Sequence, residues 1–314
     1  MCRERAGDGR PEPATTRGSG LRPMTLGGII VQLLSGLTSA AILFLVAAGI
    51  TLIFGAMRII NVAHGSFYMY GAYIMASALT LLPGQAGFWL RLLLAPALVG
   101  VLGAALEVLV LRRIYQREHL AQLLATFALF YILADLAQQI WGNQYRTVPV
   151  PPVLAGHTSI LGHAFPLYSL FVIAIAVLTG LAVLVLLRVT MFGWSVRAAV
   201  EDPELLAATG VNVKRLSTLL FALGAVLAGI AGAVVAPLQA VTTGMDASIL
   251  VAAFIVSILG GLGSVAGAAI GSVIIGVFQA FGVQLWPQWS STFVYIAMIL
   301  VLAFRPSGIL GQAE

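Results

Sequence analysis

The sequence predicts an all-α protein, a polytopic transmembrane bundle of about eight spans with broken helices, on three observations. Of the 314 residues, 60% are apolar and 9% charged, with a mean hydropathy of +1.03. That leaves too little polar surface for a water-soluble domain, so lipid is the solvent the chain fits. Apolar runs of about 20 residues, the length that crosses the ~30 Å hydrocarbon layer, follow one another almost end to end from Ile29. The charges collect between these runs, as they do in the loops of a multi-pass protein.

Residues 1–23 carry five arginines and three acids among Gly, Pro and Ser, the composition of a disordered tail. Met24 opens a stretch that runs directly into the first span, which makes it the expected start and the tail an expected start-site artefact, with the membrane domain over 24–314. The first apolar run is too long for a signal peptide. Spans are expected near 29–53, 65–82, 88–111, 120–141, 167–187, 216–236, 246–262, 264–283 and 290–304, the pair 246–262 and 264–283 being readable as one broken element. Arg112, Arg113 and Arg117 in one connection, and Arg188, Arg197, Lys214 and Arg215 in the long connection 188–215, place both on the cytoplasmic side. Trp286 and Trp289 then fall in an outer turn and Arg305 inside.

Several classes are disfavoured by what the sequence lacks. Cys2 is the single cysteine, so no disulfide framework or Cys-rich cluster site exists. His64, His119, His157 and His163 show no metal-ligand spacing. A Walker ATPase needs GxxxxGK[ST], and the one lysine, Lys214, follows Val213. The arginines are scattered, without the aromatic-interleaved basic patch of a nucleic-acid binder. Glu107 lies beside Arg112 near a span end and Asp246 starts a span. Only Asp135, with Gln138 and Gln139, lies somewhat inside, so an ion-coupled carrier or channel lacks the mid-membrane charges it normally uses. A membrane enzyme would need a nucleophile with a base, and no Ser, His and acid grouping stands out.

Two broken segments and one loop carry the functional reading. The first, 50–76, holds Arg58, Asn61, His64, Gly65 and Ser66 between apolar runs. Either these line a cavity at membrane depth, where unwound backbone is tolerated, or the segment is a cytoplasmic turn in which Asn61 caps the next helix and His64 is solvated. The second, 247–276, breaks at Gly260, Gly261 and Gly263, and Gly263, Gly267 and Gly271 recur at the four-residue spacing that lets helices touch, as Gly232 does with its neighbours in the preceding span. Both segments read as run, break, run, which is either an inverted repeat around a path or coincidence in a Gly-rich chain. In the loop 188–215, Asp202 suits an N-cap, Pro203 the first helical position, Glu204 the helix dipole and Gly210 an αL stop. Asn212 can cap the next span. This exposed helix is either a docking surface or a well-capped linker.

The segments NVAHGSFYMYGAYI, RAAVEDPELLAATGVNVKRL and ILGGLGSVAGAAIGSVIIG and the ending RPSGILG, in this order over roughly 24–312, resemble the inner-membrane permease subunits of bacterial branched-chain amino-acid ABC transporters of the LivH type. The resemblance implies a non-catalytic permease without its own cofactor, paired with a second, similar (LivM-like) permease, two cytoplasmic ATPases that bind ATP and Mg, and a periplasmic substrate-binding protein. It implies an ATPase-coupling loop containing Arg197, Glu201, Asp202, Pro203, Ala207, Ala208 and Gly210, and its match at Asn61, Ala63, His64 and Gly65 favours that segment, with Ser66, for the path; Gly260, Gly261 and Gly263 of the second break are expected to face the substrate too. Related permeases serve urea or short amides, so branched-chain amino acids lead among small polar solutes.

Overall fold

Sequence-local signals start and stop most helices. The computed structural model describes residues 25–115, 117–285 and single positions between 288 and 310. Thr25 caps α1 (Leu26–Met57) by accepting from the Gly28 amide at 3.2 Å, and Arg58 ends it in the left-handed region, φ 52°. There follow α2 (His64–Ser77), α3 (Gly84–Leu109) and α4 (His119–Trp141). Next come the strands β1 (His157–Ile160) and β2 (His163–Pro166), then α5 (Leu167–Val189). Thr190 caps α6 (Met191–Glu201) and Asp202 caps α7 (Pro203–Ala208). Asn212 caps α8 (Val213–Val235), and α9 (Met245–Gly260) and α10 (Val265–Leu285) complete the described helices.

Eight of the nine expected spans coincide with a helix, and the ninth, 290–304, lies largely outside the described residues, as do the tail 1–23, Trp286, Trp289 and Arg305. Among the described residues, six helices are long and apolar enough to cross a membrane. The helices α2 and α9 are not: at 14 and 16 residues they reach only about 21–24 Å at ~1.5 Å per residue, short of the ~30 Å core. The expected spans 65–82 and 246–262 are therefore half-helices; neighbouring helices enclose α2, while α9 keeps an exposed edge at Ala247, Ser248 and Val251. Two further elements escaped the periodicity. Amphipathic α6 opens the cytoplasmic connection, and β1 pairs with β2 in an outer hairpin that turns through Leu161 (φ 50°) and Gly162 (φ 81°), the two positive φ values a tight hairpin loop requires. That hairpin packs over the start of α1, with Thr25 Oγ1 3.0 Å from His163 Nε2.

The long helices α1 and α8 form the centre, and the half-helices cross them. The packing repeats itself: α1 lies on α10 as α8 lies on α3, and α9 lies on α1 as α2 lies on α8. Exchanging α1–α2–α3 for α8–α9–α10 leaves this pattern unchanged. Since α1 runs towards the cytoplasmic arginines and α8 away from them, the two triplets form an inverted-topology repeat. The repeat thus matches α2 with α9, rather than the 58–63 break with the 261–264 break.

Small residues set the approach distances. A Cβ on Gly36 would come within 2.9 Å of the Val277 backbone and one on Gly276 within 2.6 Å of the Ala40 amide, so α1 and α10 touch backbone to backbone. On the other side, Gly232 of α8 lies directly against the Tyr68 carbonyl of α2, and Gly229 against Pro96 and Val99 of α3. Buried hydroxyls tie the layers together: Tyr70 donates to the Leu133 carbonyl at 3.0 Å and Tyr168 to the Val234 carbonyl at 2.9 Å. At the cytoplasmic ends of α3 and α8, buried Glu107 binds Arg112 at 2.9 Å, Thr218 at 2.8 Å and the Tyr115 hydroxyl at 2.9 Å. Gly232→Val should lower the stability of the detergent-solubilised protein by about 1–3 kcal/mol or more through overpacking, measurable as a fall in thermal midpoint, whereas the same change at exposed Gly156, with open space around it, should have little effect.

Candidate translocation site and cytoplasmic docking surface

The chain between α1 and α2 turns back into the membrane. Thr126, about 10 Å along α4 from its cytoplasmic start, donates to the Ile60 carbonyl at 3.1 Å, while Leu133 meets Tyr70 and Trp141 meets Ser77 further up. On the other side His64 abuts Gly49, whose added Cβ would lie 2.7 Å from the imidazole Nε2, at about 12 Å from the end of α1. Both rulers put the start of α2 near mid-membrane. The segment 58–63 is thus non-helical backbone at membrane depth, a conformation tolerated where protein or a cavity surrounds it.

Of the two readings of this segment, the structure selects the buried one. His64 and Ser66 are fully buried and Asn61 is 2% exposed. Asn61 does not cap α2 with its side chain: the cap residue is Ala63, which makes no side-chain bond. The Ser66 hydroxyl and both polar atoms of the Asn61 amide lack hydrogen-bond partners. His64 is wedged between α1 and α8, its ring edge-on to Phe67 at 5.8 Å.

Asp246 joins this cluster, against the expectation that it starts a span at the membrane edge. It sits in the first turn of the half-helix α9 and is 1% exposed, and its backbone carbonyl lies directly against Gly65, with Leu250 Cβ beside it. One carboxylate oxygen accepts from the Ala247 amide at 2.9 Å and the other has no partner. The reason is geometric: α9 is short, and the connection before it dips inward after bridging Val241 to Arg146. On the cytoplasmic side of the junction, Ile50, Phe54, Ile59, Ile60, Phe254, Ile258 and Leu262 line a wholly apolar cavity of about 240 Å³.

The glycines of the second break lie elsewhere. Gly260 packs on Gly267, Gly261 lies within 2.7 Å of where a Cβ on Gly308 would be, and Gly263 faces Gly55. They close the cytoplasmic turn between α9 and α10 and do not reach the Asn61–Ser66 cluster. Gly263, with φ 92°, precedes α10 and so does not share a helix face with Gly267 and Gly271; Gly271 packs on the Val256 carbonyl.

On the cytoplasmic side, Asp202 accepts from the Glu204 and Leu205 amides at 3.0 and 2.9 Å, and Gly210 ends the turn at φ 89°. Arg197, Glu201, Asp202, Pro203, Ala207, Ala208 and Gly210 are all exposed, as are Trp194 and Leu205. The Arg197 guanidinium lies 4.9 Å over the Trp194 ring and donates to the Leu187 carbonyl. Beneath this surface, α6 touches α1, and Phe192 and Val196 of α6 and Ala56 and Met57 at the end of α1 pack against one apolar cluster that includes Ala48, Leu52 and Leu220. Trp194 and α6 were missed from sequence because 11 residues of mixed polarity give too short a periodic signal; Thr190 ahead of the run was the available clue.

Among known proteins, the chain is 29% identical over 295 residues to the high-affinity branched-chain amino acid transport system permease protein BraD of Pseudomonas aeruginosa, covering 90% of this chain and 96% of that one. It is 28% identical over 304 residues to the corresponding permease LivH of Escherichia coli, with the same coverages, and 27% identical over 290 residues to the fructose import permease protein FruF of Bifidobacterium longum, covering 88% and 77%. No solved structure matches. The sequence pattern described as branched-chain amino acid transport system / permease component spans residues 32–302, and the chain belongs to that family.

Proposed function

We propose that this chain is the permease subunit of an ABC importer that carries branched-chain amino acids across the bacterial inner membrane. The single observation that carries the reading is the mid-membrane meeting of the two half-helices α2 and α9, with a wholly apolar cavity on its cytoplasmic side. Half-helix ends at the bilayer midplane are where substrate sites of membrane transporters form, and an aliphatic side chain suits the cavity. The names of the BraD and LivH relatives support the same substrate class. ATP and Mg belong to two cytoplasmic ATPases, substrate arrives from a periplasmic binding protein, and a second permease completes the path.

The coupling is mechanical. An ATPase holding the exposed face of α7 and its neighbours Arg197, Glu201, Asp202, Pro203, Ala207, Ala208 and Gly210 moves α6. Through Phe192 and Val196, α6 bears on Met57, and Met57 leads into the segment that positions Asn61 and the start of α2. The path residues are Asn61, Gly65 and Ser66, with His64 holding α2 to α1 and α8; Gly260, Gly261 and Gly263 shape the inner turn, and Gly232, Gly267 and Gly271 hold helices together.

Reconstituted with its ATPases, second permease and binding protein, the assembly should accumulate leucine only with ATP inside the ATPase compartment, and a protonophore should leave uptake intact. Uptake that collapses with the protonophore while ATP is maintained would instead identify an ion-coupled carrier. Glu201→Arg and Gly210→Arg should reduce uptake without reducing membrane insertion; at Gly210 the left-handed turn adds about 1–2 kcal/mol of strain for any side chain. Wild-type uptake by both would remove the docking role. Gly65→Val should abolish uptake, because the added Cβ meets the Asp246 carbonyl.

A further inference from the structure

Asp246 has no role in the packing just described, and its surroundings are unusual for an acid. It is 1% exposed near mid-membrane, one oxygen is unpartnered, and among the described residues it makes no ion pair. A carboxylate there is unfavourable by roughly 2.5–3.5 kcal/mol or more unless a cation or hydrogen-bond donors compensate. The Ala247 amide and the dipole of α9 compensate in part. The remaining oxygen is left for a cation that the described chain does not supply.

Immediately across from it, through the contact with Gly65, lies the opposite kind of site. The first turn of α2 has no side-chain cap and no acidic residue of its own, so the acid nearest its partial positive charge is Asp246, across the Gly65 contact. Two buried polar side chains at this end, Ser66 and Asn61, lack partners. A bare acid and a helix start without a side-chain cap, side by side, form a complementary pair for a ligand that carries both charges, with an apolar cavity on their cytoplasmic side.

We infer that Asp246 binds the α-ammonium group of the substrate while the N-terminus of α2, with Ser66 and Asn61, binds its α-carboxylate, so that the junction of the half-helices is a zwitterion site with an apolar annex. This rests on the importer reading above and deepens it. It assigns the headgroup to residues of the permease itself, and it selects an amino acid over a sugar, which would leave Asp246 without a cation.

The test uses the full assembly in proteoliposomes with radiolabelled leucine. Asp246→Asn should lower uptake roughly ten- to hundredfold, the range of a lost charge-assisted hydrogen bond, and Asp246→Glu should restore a substantial part of it; co-purification with the ATPases reports that the variants assemble. Wild-type uptake by Asp246→Asn overturns the inference. If that variant does not assemble, Ser66→Cys in a Cys2→Ser background, which leaves a single thiol, serves instead: leucine should slow its modification by N-ethylmaleimide during turnover, and an unchanged rate overturns the inference. A wild-type assembly that moves no leucine refutes the importer reading itself, so the two failures are distinguishable.

Discussion

Everything in this molecule follows from the rule that peptide groups leaving a helix within the bilayer must be screened from lipid. Two helices begin near mid-membrane, and each needs a run of irregular backbone to reach its starting point. The bundle is arranged around that need. The long helices α1 and α8 lie at the centre, α3 and α10 back them, and glycines let the backbones come close enough to enclose Asn61, Ala63 and the start of α2. The buried tyrosine and threonine hydroxyls bonded to main-chain carbonyls serve the same end, since they bind adjoining elements without adding uncompensated polarity to the interior.

That arrangement also explains how a motion at the cytoplasmic surface can reach the interior. The end of α1 is held by α6 on one side and leads into the re-entrant segment on the other. The Glu107, Arg112 and Thr218 network fastens α3 to the start of α8 just above the connection that carries α7. Coupling requires an element with two arrangements whose balance an outside contact shifts, and this short, continuous series of packed parts lies between the exposed helix and the half-helix junction.

Much of this was legible in the sequence. Apolar run length located eight of the described helices within a few residues, and the caps Asp202 and Asn212 and the stop at Gly210 behave as their residue types indicate. Depth was not legible. Hydropathy reports that 65–82 and 246–262 are apolar but not that they begin halfway across, because a half-helix shielded by protein has the same composition as a short span in lipid. Apolar run length therefore puts Asp246 at a membrane edge and leaves Asn61 and His64 between a solvated turn and a buried one. Those assignments depend on contacts between positions far apart in the chain, such as Gly65 with Asp246 and His64 with Gly49. The β-hairpin escaped because strands of four residues are too short for alternation to register.

The interchange of packing partners between the two helix triplets bears on energetics. When two halves of opposite orientation use equivalent contacts, a distortion that loosens one half has a counterpart of similar energy in the other. Opening towards one compartment and opening towards the other then work on corresponding interfaces, α9 on α1 in one half and α2 on α8 in the other. Any outside contact that favours one opening acts on these interfaces, and one or two kcal/mol of differential contact changes such populations by about five- to thirtyfold.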